Sequence, residues 1–296
     1  MVQIFKWEWR YCRSSAWKQL MIQACYPTAI FLLYCFHKEW LFQTASAVLS
    51  LPKEIYVFTG LNHNVTTGNI RFYVFFGVMI IQAWMAWNAC CRTLELLQAD
   101  ERTGSICFIC NQWYSRRQLG MGKLLSSSVV FLAQNTLWYS IVLFFTLLGS
   151  VNADQRVTAL KAIFLLWIRT SFVTGMLIIL TFCMGVFLRN SIRKGASWVS
   201  AFLLISLMLG NLYKIRDMVL WLMESLELHY ANILEKLEWL DWGYWLSPLS
   251  WLNPYTDITV GMMLIQGGIC IIISVLGVWS GLAGYGQRKI AGGVAV

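Results

Sequence analysis

Charged side chains are scarce in this sequence. Asp, Glu, Lys and Arg account for 12% of its 296 residues, whereas soluble proteins carry about 25%. The shortage is concentrated in long apolar stretches that contain no Asp or Glu, and hydrophobic residues make up 58% of the chain. This distribution argues against an ordinary soluble domain and indicates a protein embedded in a membrane.

The sequence also lacks the motifs of several enzyme classes. A nucleotide-binding P-loop needs GxxxxGK followed by Ser or Thr, but the nearest match has Arg117 for the first Gly and Leu124 for the Ser or Thr. There is no HExxH motif, and the 3 histidines are far apart. CFIC at 107–110 has the spacing of two metal ligands without the further ligands of a closed site. We therefore predict that the chain is not an enzyme and binds no metal or cofactor.

Six apolar stretches are predicted to cross the bilayer. A spanning helix needs about 20 mostly apolar residues, and lipid offers the backbone no hydrogen bonds, so each stretch is expected to be an α-helix. No cleavable signal peptide is apparent before the first stretch. The sequence thus predicts a single all-α membrane domain over 1–296, with spans at about 19–36, 72–94, 124–148, 161–188, 196–213 and 259–284.

The distribution of charge predicts the orientation of these spans. Lys and Arg predominate in residues 1–18, 95–123 and 189–195 and in the tail, whereas acidic residues predominate in the opposite segments. Because Lys and Arg in short loops favour the cytoplasm, both termini are predicted to be cytoplasmic, in a multi-pass protein of the plasma membrane, most simply the bacterial inner membrane. The net charge of +9 then reflects topology, and no nucleic-acid partner is expected.

Three segments outside the spans have distinct predicted roles. Residues 1–18 are rich in Trp and basic residues, which suits an amphipathic helix at the cytoplasmic membrane interface. The cytoplasmic segment 95–123 contains a short apolar stretch and Ser115, a suitable N-cap for the next helix. The outer segment 214–258 begins with an amphipathic pattern and then breaks at two prolines, which predicts an interfacial or re-entrant helix followed by a broken turn.

A few polar residues lie within the predicted spans. Arg169 is the one full charge deep in a span, so it is expected to face protein or water, or else to extend its side chain to the interface. Gln82, Asn88 and Gln134 either line a translocation pathway or form hydrogen bonds between helices. Both interpretations stay open for these residues. Gly277 and Gly281 form a GxxxG pair, which permits close contact between helices.

Two stretches resemble a known family. DERTGSICFICNQWYSRRQLGMGK at 100–123 is similar to the cytoplasmic link between the second and third spans of type-2 ABC exporter permeases. WLSPLSWLNPY at 245–255 resembles the segment that precedes the last span of that family. The matching residues are Asp100, Glu101, Gly104, Ser105, Ile106, Ser115, Arg116, Gly122 and Lys123 in the first stretch, and Pro248, Asn253, Pro254 and Tyr255 in the second.

The resemblance implies that the chain is the membrane-spanning subunit of an ABC transporter that exports an amphipathic peptide, lipid or drug. A short coupling helix between spans two and three would contact a separate ATPase subunit, which binds ATP and Mg²⁺. A second copy of the chain, or a related permease, would complete the pathway. The residues implied in coupling are Asp100, Glu101, Gly104, Ser105, Ile106, Phe108 and Arg116.

Two other classes remain as alternatives. One is a carrier or channel driven by an ion gradient, although no predicted span holds a carboxylate that could relay protons or bind sodium. The other is a membrane protein without transport activity, such as an immunity protein. Isolation of the chain with or without a soluble ATPase would discriminate between these classes.

Overall fold

The computed structural model describes residues 2–48, 78–103, 115–149, 153–187, 192–210, 238–252 and 260–287, and every regular element in these ranges is helical. The all-α prediction is therefore confirmed for this part of the chain. The α-helices in chain order are α1 (Val2–Val48), α2 (Val78–Thr103), α3 (Arg116–Gly149), α4 (Ala153–Phe187), α5 (Ile192–Gly210), α6 (Trp242–Leu246) and α7 (Val260–Gln287). Two short 3₁₀ helices, Glu238–Asp241 and Ser250–Leu252, flank α6.

Three helices are long and apolar enough to cross a membrane. They are α3, the part of α4 from Arg156 to Phe187, and α7, and they coincide with the predicted spans at 124–148, 161–188 and 259–284. A shorter apolar helix, Gly195–Ser206, lies within α5 in the region of the predicted fifth span. The arrangement of six spans remains a prediction.

The first helix is longer than the sequence predicted. We expected an interfacial helix over 1–18 and a separate span over 19–36, but α1 runs without interruption for 47 residues. Pro27 lies inside it and has no N–H to donate to the carbonyl group of Gln23, four residues earlier. The indole Nε1 of Trp138 in α3 donates to that carbonyl group instead, at 3.3 Å. The proline is therefore tolerated because a neighbouring helix supplies the missing donor.

Helix α3 makes contact with several other helices of the described bundle. It packs against α1, α2, α4 and α7. Its N-terminus has the predicted cap: the backbone N–H of Gln118 donates to Ser115 Oγ at 3.3 Å, and the N–H of Ser115 donates to Gln118 Oε1 at 3.1 Å. This reciprocal arrangement is a capping box, and it confirms the predicted start of the helix.

The GxxxG pair joins α7 to α4. A methyl group on Gly277 would lie 2.6 Å from the side chain of Ile179, and one on Gly281 would lie 2.9 Å from Phe182. Such distances leave no room for a side chain, so the two glycines allow the helix backbones to approach closely. The Cys183 thiol also donates to the carbonyl oxygen of Gly277 at 2.8 Å. The predicted role of the pair in helix contact is confirmed, with α4 of the same chain as the partner.

The chain from 238 to 252 is folded into the bundle. It packs against α4 and α5, and Ser247, Trp251 and Leu252 are all buried. The hydroxyl groups of Ser206 in α5 and Ser247 lie 3.1 Å apart. Helix α6 ends at Leu246, two residues before Pro248, as the predicted break requires. The preceding part of the predicted outer helix, over 214–237, lies outside the described residues, as do Asn253, Pro254 and Tyr255.

Candidate functional site

The predicted coupling region lies between two helices that the structure describes. Helix α2 carries Asp100 and Glu101 near its C-terminus, and Arg116 is the first residue of α3. Gly104, Ser105, Ile106 and Phe108 lie outside the described residues. The structure therefore describes the two helices that flank the predicted coupling region, together with their contacts with the rest of the bundle.

A buried ion pair joins the ends of three helices next to this region. Lys123 Nζ in α3 lies 3.1 Å from Glu8 Oε1 in α1, and the two side chains are 1% and 2% exposed. The same ammonium group donates to the backbone carbonyl of Leu96 in α2. One side chain thus holds α1, α2 and α3 together where α2 and α3 lead into the predicted coupling region. The sequence pattern identified Lys123 only as part of the Gly-Lys motif, and nothing local predicted its pairing with Glu8.

Further polar contacts link the same helices. Thr93 in α2 and Ser127 in α3 share a hydrogen bond of 2.6 Å between their hydroxyl groups. Ser126 Oγ donates to the backbone carbonyl of Phe5 in α1 at 3.4 Å. Because these side chains are buried or partly buried, the hydrogen bonds replace contacts that water would make at a surface.

A second polar network lies farther along α3. Gln134 Nε2 donates to Gln23 Oε1 at 2.9 Å, and its Oε1 accepts from Arg92 Nη2 at 3.4 Å. Arg92 also donates to Gln19 Oε1, and Gln19 Nε2 donates to Asn88 Oδ1 at 3.2 Å. The candidate pathway residues Asn88 and Gln134 therefore belong to one network. Arg92 lies near the end of the predicted span 72–94, and its burial among amides depends on how α1 and α3 pack.

The third network surrounds Tyr139, about 24 Å from Lys123 along α3 at 1.5 Å per residue. Its hydroxyl group accepts a hydrogen bond from Gln82 and lies 2.9 Å from Thr170 Oγ1 in α4. Arg169 adjoins this group, because it interacts electrostatically with Tyr139 and forms a side-chain hydrogen bond with Tyr244 in α6. Gln266 Nε2 in α7 donates to the same Tyr244 hydroxyl group at 3.2 Å. The network thus connects α2, α3, α4, α6 and α7.

Arg169 is buried inside the protein. It is 7% exposed and lies near the middle of α4, so its side chain does not extend to solvent at a helix end. Of the two sequence interpretations, the structure therefore places Arg169 against protein, with Tyr244 of the 238–252 segment as a hydrogen-bond partner. All four candidate pathway residues contact other polar groups across helix boundaries, which is the arrangement of interhelical hydrogen bonds.

Removing the hydroxyl group of Tyr244 tests whether Arg169 holds the 238–252 segment in place. In Tyr244→Phe, Arg169 and Gln266 both lose an acceptor in a buried site. A hydrogen bond to a charged group contributes about 1.5–3 kcal/mol, so we expect the free energy of unfolding to fall by about 2 kcal/mol. The measurement is denaturation in mixed micelles, followed by tryptophan fluorescence.

Trp242→Phe provides the matched control for this variant. Trp242 lies in the same short helix and is 68% exposed, so its replacement leaves the hydroxyl network intact. Equal stability of Tyr244→Phe and the unmodified chain would show that Tyr244 does not anchor the segment.

Comparison with known proteins identifies no relative of this chain. No protein-family model matches it, and no curated protein or solved structure shows significant similarity. The inference of its function therefore depends on its own residues and on the contacts described above.

Proposed function

We propose that this chain is the membrane-spanning subunit of an ABC exporter. In this proposal six helices cross the plasma membrane, and two copies of the chain, or one copy and a related permease, enclose the pathway. A separate ATPase subunit at the cytoplasmic side binds ATP and Mg²⁺ and supplies the energy. The cargo is an amphipathic molecule such as a peptide, a lipid or a hydrophobic drug.

The observation that carries the proposal is the sequence of residues 100–123, together with the packing of the two helices that this stretch joins. The stretch combines an acidic pair, Gly104, a short apolar segment and a Gly-Lys sequence at the start of a span. It joins α2 and α3, and both helices are bound to α1 through Lys123. A force on this segment would therefore act on three helices at once, which is what an ATPase needs in order to reorient a membrane domain.

The buried polar networks provide contacts that could change during such a movement. They connect the 238–252 segment, which is re-entrant in this proposal, to α2, α3, α4 and α7. The connection runs through Tyr139, Arg169 and Tyr244. If the helices move relative to one another, these hydrogen bonds must exchange partners, because unpaired polar groups in an apolar interior are costly. In the proposal, an anionic or hydrogen-bonding group of the cargo becomes a partner of Arg169 in that state.

Co-purification with an ATPase tests the proposal. The chain is expressed together with the genes that neighbour its own, extracted in mild detergent and purified by a tag on this chain alone. We expect a stoichiometric complex whose ATPase turnover differs from that of the isolated ATPase. An unrelated P-loop ATPase from the same host serves as the control and is expected to remain unbound.

A chain that purifies without any ATPase, and whose segment 100–123 is cleaved by added protease in native membranes, would contradict the proposal. The gradient-driven carrier and the membrane protein without transport activity would then be the better interpretations. An assay of ion flux in proteoliposomes separates those two classes.

A further inference from the structure

A surface groove of about 560 Å³ runs along the C-terminal half of α7. Its size is in the range of small-molecule sites, which are about 300–1,000 Å³. Two neighbouring stripes at helical spacing line it: Ser274, Val278 and Leu282 form one, and Val275, Trp279 and Ala283 form the other. The wall is therefore apolar apart from one hydroxyl group.

Among the described residues that line the groove, the charged one is Arg117, in the first turn of α3. A methyl group on Gly286 would lie 3.1 Å from both Cγ and Nε of Arg117. The side chain of Arg117 therefore packs directly on the backbone of α7 at this glycine. Gly286 lies C-terminal to the groove residues, and the side chain of Arg117 is exposed. The guanidinium group is thus available at one end of an otherwise apolar channel.

The dimensions of the groove match one leaflet of a bilayer. From Ser274 to Ala283, the groove residues of α7, the helix rises about 14 Å at 1.5 Å per residue, and half of the hydrocarbon core measures about 15 Å. The outward face of α7 is strongly apolar, since Leu264, Ile272 and Trp279 are 71%, 62% and 75% exposed. Such a face borders lipid in a membrane-spanning helix.

We propose that this groove binds one acidic phospholipid, with an acyl chain along α7 and the headgroup phosphate on Arg117. Charge complementarity favours an acidic lipid, because the cation at the rim would attract a net negative headgroup more strongly than a zwitterionic one. The charge distribution of the sequence assigns the Arg117 end to the cytoplasmic leaflet. The site requires a membrane position for α3 and α7 but no ATPase, so it is independent of the proposed transport function.

Competition between two lipids tests the proposal. The full chain is purified in detergent with equal amounts of palmitoyl-oleoyl phosphatidylglycerol and phosphatidylcholine, and retained lipid is counted by native mass spectrometry. We expect the unmodified chain to retain phosphatidylglycerol preferentially. One basic residue near an acidic surface contributes a factor of about five, so Arg117→Gln is expected to reduce the preference about fivefold and Arg117→Lys to restore most of it.

Arg13→Gln is the matched control. Arg13 is an exposed arginine of α1 that does not line the groove, and its loss changes the net charge by the same amount. An equal preference for phosphatidylglycerol in Arg117→Gln and the unmodified chain would overturn the proposal. An equal loss in Arg13→Gln would also overturn it, because the effect would then be one of general surface charge.

Trp279 provides a second measurement in the groove itself. The fluorescence of Trp279 is obtained by subtracting the emission of Trp279→Phe from that of the unmodified chain. We expect brominated phosphatidylglycerol to quench this fluorescence more than brominated phosphatidylcholine does. If neither lipid quenches Trp279, protein covers the groove, for example a second copy of the chain, and the proposal fails. It also fails if millimolar inorganic phosphate displaces the lipid, since the groove would then bind the phosphate alone.

Discussion

Replacement of Lys123 by methionine is expected to lower the free energy of unfolding by about 3–5 kcal/mol, the range observed when one partner of a buried ion pair is removed. The side chain of Glu8 is 2% exposed, so without Lys123 its carboxylate loses its ion-pair partner in an apolar interior. The lost hydrogen bond to the carbonyl group of Leu96 adds to the effect. The measurement is equilibrium denaturation in mixed micelles, with tryptophan fluorescence and circular dichroism as independent signals.

Two further variants give this prediction its controls. Lys161→Met removes an exposed lysine from α4, and we expect it to change stability by less than about 0.5 kcal/mol, as is usual for surface substitutions. The double variant Glu8→Leu with Lys123→Met removes both charges, and it should recover most of the stability because an apolar pair of similar volume replaces the ion pair. Wild-type stability of Lys123→Met alone would show that Glu8 and Lys123 are not paired in the folded protein.

Replacement of Glu101 by lysine is expected to separate the chain from its ATPase without unfolding it. This prediction depends on the proposed function. Like charges placed against each other across an interface cost several kcal/mol, so the affinity of the chain for the ATPase should fall at least about tenfold. The response of ATPase turnover to the membrane subunit should be lost with it. Both quantities are measured on the co-purified complex and need no knowledge of the cargo.

Glu95→Lys is the matched control, since Glu95 is an exposed residue of the same helix and lies six positions nearer its start. It makes the same change of charge outside the stretch that resembles the coupling motif, so we expect it to retain the ATPase. Thermal denaturation of Glu101→Lys should match that of the unmodified chain. A stable Glu101→Lys variant that still binds and activates the ATPase would contradict the proposed role of residues 100–116 in contacting the ATPase.

Loss of the Glu8–Lys123 ion pair and loss of the Arg169–Tyr244 contact are expected to change different properties of the protein. The ion pair lies beside the predicted site of ATPase contact, so its removal affects stability and the transmission of movement together. Arg169 and Tyr244 lie far along the bundle, where α6 and its flanking 3₁₀ helices enter the packing. A comparison of stability with ATPase response in both sets of variants therefore distinguishes a general loss of folding from a local loss of coupling.

The sequence by itself determined the features that depend on neighbouring residues. Apolar runs about 20 residues long determined the helices α3, α4 and α7, because lipid leaves the backbone no partners outside the helix. Ser115 and Gln118 determined the start of α3, since the two residues satisfy each other's backbone donors within one turn. Pro248 determined the end of α6 in the same way, through a local steric restriction.

Only the tertiary structure decided which distant residues meet. Glu8 and Lys123 are separated by more than one hundred positions, and either could have been an exposed charge at the membrane surface. The continuity of α1 through Pro27 depends on Trp138, whose indole supplies the donor that the proline lacks. Burial of Arg169 depends on Tyr244, which reaches α4 only because the 238–252 segment folds into the bundle. Local hydrogen bonding makes helices, but the need to pair each buried polar group determines how they assemble.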